Sequence, residues 1–221
     1  MLARAMPREA DDVTAARMRL IDRLVRQGYA EHDHTEAALR AVPRHEFVPA
    51  GRRASAYADR PLDIGNGQTI SAPHMVALMT DLLHLERGHR VLEVGTGCGY
   101  HAAVTAEVVG PGNVYSVEYD ADLAAGSRER LDRLGYDVAV RRGDGHEGWA
   151  AHAPYDRAYV TCSPRTIPQA VVDQVATGGR IVSPEGDRTQ RLVVLERTET
   201  GVERTTHGRV RFVPMRGGAD G

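Results

Sequence analysis

From Arg90 onward, short apolar runs alternate with segments of helical period, and this rhythm constrains the chain more than any other feature. Strands are read at Arg90–Val94, Asn113–Glu118, Asp137–Arg141, Asp156–Thr161, Gly179–Ser183, Leu192–Arg197 and within Val202–Val213. Helices are read at Tyr100–Val109, at Ala121–Leu134 closed by Gly135, and from about Pro168 to Ala176. Strands that take turns with helices are joined by crossovers, which lays them parallel with helices on both faces. The last two strands have no helix between them and predict an antiparallel hairpin. The expected class is therefore α/β, a doubly wound, mostly parallel seven-stranded sheet with an antiparallel C-terminal hairpin.

An N-terminal helical and loop extension precedes this core. Val13, Ala16, Leu20, Ile21, Leu24 and Val25 fall at helical spacing, and Gly28 stops that helix. A short helix opens at Thr35 and runs through Arg40. Val42 to Thr69 carries three prolines and three glycines and reads as mostly loop, with room for short strands. A structured loop of that length in a compact protein is usually functional. A further amphipathic helix follows Pro73. The organisation expected is a helical and substrate-loop region at 1–85, a binding core at 86–216 and a flexible tail at 217–221, in one compact domain, as suits 221 residues.

Composition excludes several functions. All 28 basic residues are arginine, so a lysine nucleophile and a Walker-type phosphate loop are both impossible. The formal charge of −2 argues against nucleic acid, no apolar run reaches membrane-spanning length, and the first residues lack a signal peptide's apolar stretch. Two cysteines, Cys98 and Cys162, make neither a disulfide framework nor a metal site, so the cytoplasm is the expected compartment. Ten histidines show no zinc-ligand spacing, His32, His34, His84 and His89 included, and no metal is expected. Arg141-Arg142 reads as a solvated strand end, and Trp149 as a packing anchor.

The first core strand runs into Glu93-Val94-Gly95-Thr96-Gly97-Cys98-Gly99-Tyr100. A dinucleotide fingerprint needs its third glycine one place later, where Tyr100 stands. Glu118 ends the second strand, 23 residues after Gly95, where a carboxylate can accept both hydroxyls of a ribose. Asp144, in Gly143-Asp144-Gly145 after the third strand, can accept from an adenine amino group. Three such features at successive strand ends describe a site for an adenosine without phosphate, and S-adenosylmethionine fits. Cys98 and Cys162 follow neighbouring strands, so their thiols either approach each other beside that ligand or are two unrelated small fillers.

These residues resemble the class I S-adenosylmethionine-dependent methyltransferases, whose fold is Rossmann-like. Val42-Pro43-Arg44-His45-Glu46-Phe47-Val48-Pro49, Gly67-Gln68-Thr69-Ile70-Ser71-Ala72-Pro73-His74-Met75 and Val91–Ala103 are similar to the protein-L-isoaspartate O-methyltransferase family. So are Gly143-Asp144-Gly145, Ala153-Pro154-Tyr155-Asp156 and Val210-Arg211-Phe212-Val213-Pro214. The resemblance implies methylation of the α-carboxylate of isoaspartyl residues in damaged proteins, with S-adenosyl-L-homocysteine as product and repair by way of a succinimide. By position it makes Ser71 the catalytic residue. Thr69, Ile70, Ser71, His74 and Val213 become substrate contacts, with Val213 in the C-terminal strand. Glu93, Gly95, Thr96, Gly97, Gly99, Glu118, Asp144 and Gly145 become cofactor contacts. The partners implied are isoaspartyl proteins and peptides, and the chain is expected as a monomer without nucleic-acid or membrane partners.

Cys98 stands where Ser is common in that family, His101 where Gln is common, and Ser183-Pro184-Glu185-Gly186 replaces a more apolar segment. Ser71-Ala72-Pro73 also has the form of a helix N-cap followed by proline, a reading compatible with catalysis. The other functions weighed are a peptide-tailoring methyltransferase forming aspartimide, a non-catalytic S-adenosylmethionine- or peptide-binding protein, and a tRNA or small-molecule methyltransferase.

Overall fold

The computed structural model describes residues 9–218. Helix α1 (Glu9–Arg26) ends where Gly28 takes φ 74°, and the Gly28 and Tyr29 amides turn back to Val25 and Leu24, each at 3.0 Å. Helix α2 (Asp33–Ala41) starts two residues before the predicted position. The prolyl stretch after it forms two 3-10 segments, Arg44–Glu46 and Ala50–Ser55, and then a hairpin of β1 (Leu62–Gly65) and β2 (Gln68–Ile70). Asn66 at the hairpin tip has φ 53°, a left-handed conformation that asparagine tolerates.

Helix α3 (Pro73–Leu82) corrects the N-cap reading of Ser71, because the cap is Ala72. Proline disfavours helical backbone in the residue before it, and Ala72 is extended at φ −56°, ψ 144°. Ser71 therefore lies outside the helix, and the free helix amide of His74 is satisfied not by the cap residue but by Asp59 Oδ1 at 3.0 Å.

The core follows the predicted alternation: β3 (Val91–Val94), α4 (Tyr100–Val109), β4 (Val114–Glu118), α5 (Ala121–Leu134), β5 (Val138–Arg142), β6 (Tyr155–Val160), α6 (Gln169–Asp173), β7 (Val175–Glu185), β8 (Gln190–Thr198) and β9 (Gly201–Val210). Asp120 caps α5 through the Asp122 and Leu123 amides, and Gly135 closes it at φ 81°. Helix α6 is shorter than predicted. Val175 belongs instead to β7, where it pairs with Tyr155 and is buried, and an apolar run that short fits either period.

The sheet order is β5-β4-β3-β6-β7-β8-β9. Pairing is parallel from β5 to β7, and β8 and β9 are antiparallel to their neighbours. The chain winds outward from β3 through β4 and β5, then returns to β6 on the other side. The reversal opens a crevice at the carboxyl ends of β3 and β6, where open α/β sheets bind ligands.

One core layer joins the N-terminal helices to the sheet: Leu24, Leu39 and Val104 cluster with Val91, Tyr159 and Val194. The other face packs Leu92, Val160 and Ile181 against Val171 and Trp149. Helix α4 lies between the sheet and helices α2 and α3, and every residue of it except Glu107 is buried. That double cover explains its nearly uniform apolar sequence. No helix among the described residues is long and apolar enough to cross a membrane.

Candidate active site

The crevice holds a cavity whose wall is the loop from Glu93 to Cys98. Gly95, Gly97 and Gly99 take φ of 96°, 54° and 87°, which side-chain-bearing residues rarely adopt. Two of them also answer to the protein's own packing. A Cβ on Gly95 would run into Thr161 Oγ1, and one on Gly99 would sit 3.1 Å from Leu131 of α5. Glu118, 8 % exposed, braces the loop: its Oε2 accepts the Gly97 amide at 2.8 Å and its Oε1 the Asp120 amide at 2.9 Å. Each oxygen retains a lone pair for a ligand hydroxyl.

Glu93 lies below the loop and is completely buried. It accepts hydrogen bonds from Ser116 and, at 2.9 Å, from the Tyr159 hydroxyl, while Ser116 also meets Thr96 Oγ1 at 2.5 Å. Burial pushes the Glu93 carboxyl up to about 8, against the pull of the two hydroxyl bonds. A cation lodged above it would favour its ionised form. His101 behind it is buried against Tyr159, with ring centroids 4.3 Å apart, and its Nε2 meets Thr80 Oγ1 at 3.0 Å. Burial lowers it to about 3.

The cavity is roofed by two segments. Gln68–Ser71 comes from the hairpin side, and Val213–Arg216 from the C-terminal end. The hairpin tip is tied across the opening: Asn66 Nδ2 donates to Asp120 Oδ1 at 2.9 Å, and Arg216 Nη2 donates to the Asn66 carbonyl at 3.3 Å. Val213 lines the cavity but lies beyond β9, which ends at Val210, so its placement in the last strand is corrected. It sits in an extended segment whose Pro214 bridges to Ser163. Ser163 N donates to the Val213 carbonyl at 2.8 Å.

A second cavity adjoins the first and shares Thr69, Ser71, Thr161, Val213 and Pro214 with it. Ser71 thus faces both. His74 lines only the second, where Asp59 Oδ1 meets its amide at 3.0 Å and its Nδ1 at 2.9 Å. Ile70, Gly95, Thr96, Gly97 and Gly145 line the first, together with Glu93 and Glu118. Gly99 and Asp144 line neither. Asp144 caps a 3-10 turn, with Oδ1 accepting the His146 amide at 2.9 Å and Oδ2 the Gly218 amide at 2.7 Å. These bonds hold its carboxyl below the ordinary range despite some burial. Gly217 and Gly218, read as part of the tail, therefore lie against Asp144, while residues 219–221 fall outside the described residues.

Several residues of the site were not singled out from the sequence. Arg44 is 0 % exposed and donates from Nε to the Ala56 carbonyl (2.9 Å) and from Nη2 to the Ser71 carbonyl (2.8 Å). Its guanidinium lies 5.0 Å from the Tyr100 ring centre, and its Nη1 has no hydrogen-bond partner. Tyr119 lines the cavity although 49 % exposed, and Asp120 and Arg216 complete its rim. An aromatic directly after the strand-end acid was the available signal for Tyr119. Arg141 is not simply solvated as read: it stacks 4.9 Å from the Trp149 ring centre and donates to the Gly148 carbonyl. Cys98 and Cys162 are free thiols on the same cavity, and burial raises both, Cys162 to about 12. Among the described residues no three His, Cys, Asp or Glu side chains form a group able to hold a metal. His32 instead stacks on His34 and faces Asp81 at 2.9 Å.

A cleft of this construction on a sheet wound in this order is that of a class I methyltransferase, an enzyme that draws its methyl group from S-adenosylmethionine. The family model described as protein-L-isoaspartate(D-aspartate) O-methyltransferase (PCMT) matches residues 15–220. The chain belongs to that family. It is similar to protein-L-isoaspartate O-methyltransferase 2 of Archaeoglobus fulgidus, with 52% identity covering 93% of this chain and 95% of the relative. The Methanopyrus kandleri protein-L-isoaspartate O-methyltransferase is 50% identical, covering 91% and 92%. A solved protein-L-isoaspartate O-methyltransferase superposes with TM-score 0.84 at 31% identity, over 91% of this chain and 66% of that one. A Plasmodium falciparum relative in complex with S-adenosyl-L-homocysteine superposes with TM-score 0.78 at 26% identity, over 90% and 98%.

Proposed function

We infer that the chain methylates the α-carboxylate of isoaspartyl residues, with the donor in the first cavity, the damaged peptide in the second and Ser71 between them. The observation that carries this arrangement is the pair of adjoining cavities sharing Ser71. The residues present fit S-adenosylmethionine. Glu118 keeps free lone pairs at the end of β4 for ribose hydroxyls, Tyr119 beside it offers an aromatic ring for a base, and Glu93 is a buried acid beneath a cationic ligand. Asp144 keeps a lone pair on Oδ2 beside the Gly218 amide, with Gly217 packed against the carboxylate.

When bound, S-adenosylmethionine supplies a methyl group on a sulfonium that departs as a neutral thioether. The protein need not supply a base, because a carboxylate with a pKa near 4 is already ionised at neutral pH. Its task is to hold the carboxylate oxygen in line with the methyl carbon and to exclude water, which can supply about 7–11 kcal/mol. The Ser71 hydroxyl supplies a hydrogen bond to the substrate carboxylate, and Thr69, Ile70 and Val213 close the cleft around it. His74 is held by Asp59 along the peptide side. The resulting methyl ester loses methanol to the following backbone nitrogen, and the succinimide hydrolyses in part to normal aspartate.

The region at 1–85 brings the substrate segment to the core at 86–216, and we take the two as one domain acting as a monomer. Free thiols on the donor cavity suit a reducing cytoplasm, and the charge of −2 suits protein rather than nucleic-acid partners. The test is an isoaspartyl peptide beside its aspartyl twin, with labelled donor and methanol release as readout. Methylation confined to the isoaspartyl peptide supports the reading. Preference for the aspartyl twin points instead to peptide tailoring, and binding without methanol to a non-catalytic protein.

A further inference from the structure

The second cavity is electrostatically one-sided. Apart from His74, which is engaged by Asp59, its charged lining is Arg209 and Arg211, and no Asp or Glu lines it. Both arginines are exposed. On the antiparallel strands Arg204 pairs with Glu185 and Arg180 with Glu196, whereas Arg191, opposite Arg209, is in no ion pair among the described residues. Among the described residues Arg209 and Arg211 make no such pair.

A second observation points the same way. In the β8–β9 ladder Arg191 stands directly opposite Arg209. Like charges set opposite one another weaken a sheet. Here the pair comes at the β-bulge between Arg191 and Leu192, just before the chain leaves β9 to line the cavity. Arg191 thus adds a third positive charge on the strand beside the groove-lining Arg209 and Arg211, and among the described residues no carboxylate pairs with either of those two. Their field favours an anionic occupant along the peptide path.

We propose that Arg209 and Arg211 select isoaspartyl substrates carrying acidic side chains beside the damaged residue. The proposal rests on the second cavity being the peptide groove. It makes the two arginines determinants of specificity, acting on binding of the flanks and not on the methyl transfer itself. Exposed ion pairs are individually weak and screened by salt, so the preference is expected to be graded and salt-sensitive.

The test uses the full chain and three isoaspartyl peptides identical except for Glu, Gln or Lys on both sides of the damaged residue. The expected order of kcat/KM is Glu over Gln over Lys, spanning about tenfold at low salt, carried by KM and compressed at high salt. In the R209E/R211E variant the ratio of the Glu to the Lys peptide is expected to fall below one. R19E/R87E changes net charge equally at exposed positions away from the groove and is expected to keep the parent's ratio. Equal kcat/KM for the three peptides, or an R209E/R211E ratio unchanged from the parent, overturns the proposal while leaving isoaspartyl methylation standing. Failure of the parent to methylate any of the three overturns the functional reading, and the proposal with it.

Discussion

Ser71 and Arg44 form a unit: Ser71 lines both cavities, where the proposed function sets it against the substrate, and Arg44 fixes its backbone. The Arg44 guanidinium is sealed from solvent, carries an unpartnered Nη1 and donates to the Ser71 carbonyl. Burying a cation without an acid partner is costly, and burial pulls this guanidinium's pKa down. A lysine cannot reproduce two forked bonds and a stack on Tyr100, so Arg44→Lys is expected to lose about 1–3 kcal/mol in urea unfolding. Its turnover is expected to fall while S-adenosylhomocysteine affinity holds; unaltered turnover would restrict Arg44 to a structural role. Ser71→Ala leaves α3 intact, because Ala72 is the cap. A hydrogen bond to a charged group is worth about 1.5–3 kcal/mol, so its kcat is expected to drop about 10- to 100-fold with cofactor affinity little changed. Equal turnover in Ser71→Ala and parent would remove the positioning role. The sequence marked Ser71, but Arg44 carried no signal of its own: an arginine in a loop reads as solvated until the fold buries it.

The glycine loop, α3 and the hairpin differ in how far their sequence reveals them. Alternating apolar runs and glycine stops are local, so the succession from β3 to β5 follows directly from the residues. Helix α6 is shorter than its sequence pattern predicts, because Val171, Val172 and Val175 suit either a helix or a strand until Tyr155 pairs with Val175. The hairpin has a local signal in Gly65-Asn66-Gly67, which is turn chemistry between Ile64 and Thr69. Asp144 shows the limit of local reading: its place after β5 suggests adenine, and that the Gly218 amide from far along the chain also holds its carboxylate is visible only in the fold. The tie from Asn66 to Asp120 joins the hairpin tip to the rim of the first cavity, so whether the hairpin gates that cavity can be tested. Asn66→Gly keeps the left-handed tip and deletes the tie. An exposed hydrogen bond of about 0.5–1.5 kcal/mol corresponds to roughly two- to tenfold faster release of S-adenosylhomocysteine, measurable by stopped flow, with unfolding free energy lowered by no more than that amount. An unaltered release rate would show that the tip does not gate the cavity.

Across the molecule, two buried groups between the sheet and α4 tie folding to pH in opposite directions. The sequence placed both in the glycine-loop region but could not show that Glu93 bonds Tyr159 and His101 packs on the same ring, because β6 joins them only in the fold. Burial raises Glu93 from 4.5 to about 8, so the folded chain keeps a proton that the unfolded chain gives up. Its contribution to stability is full below pH 4.5 and is lost as pH rises through about 8. His101 is lowered from 6.5 to about 3, so the unfolded chain takes up a proton that the folded chain refuses. Its contribution is full above pH 6.5 and is lost as pH falls through about 3. Each slope is at most about 1.4 kcal/mol per pH unit, and the two cancel where the intervals overlap, from about pH 4.5 to 6.5. Urea unfolding at half-unit steps is therefore expected to show a plateau there for the pair's contribution, read as the difference between parent and variants. Glu93→Gln is expected to remove the decline toward pH 8, and His101→Gln the decline toward pH 3, each leaving the other flank in place. If Glu93→Gln leaves the alkaline slope unchanged, the buried carboxyl is already ionised in the folded chain, and the network beneath the glycine loop carries a fixed negative charge.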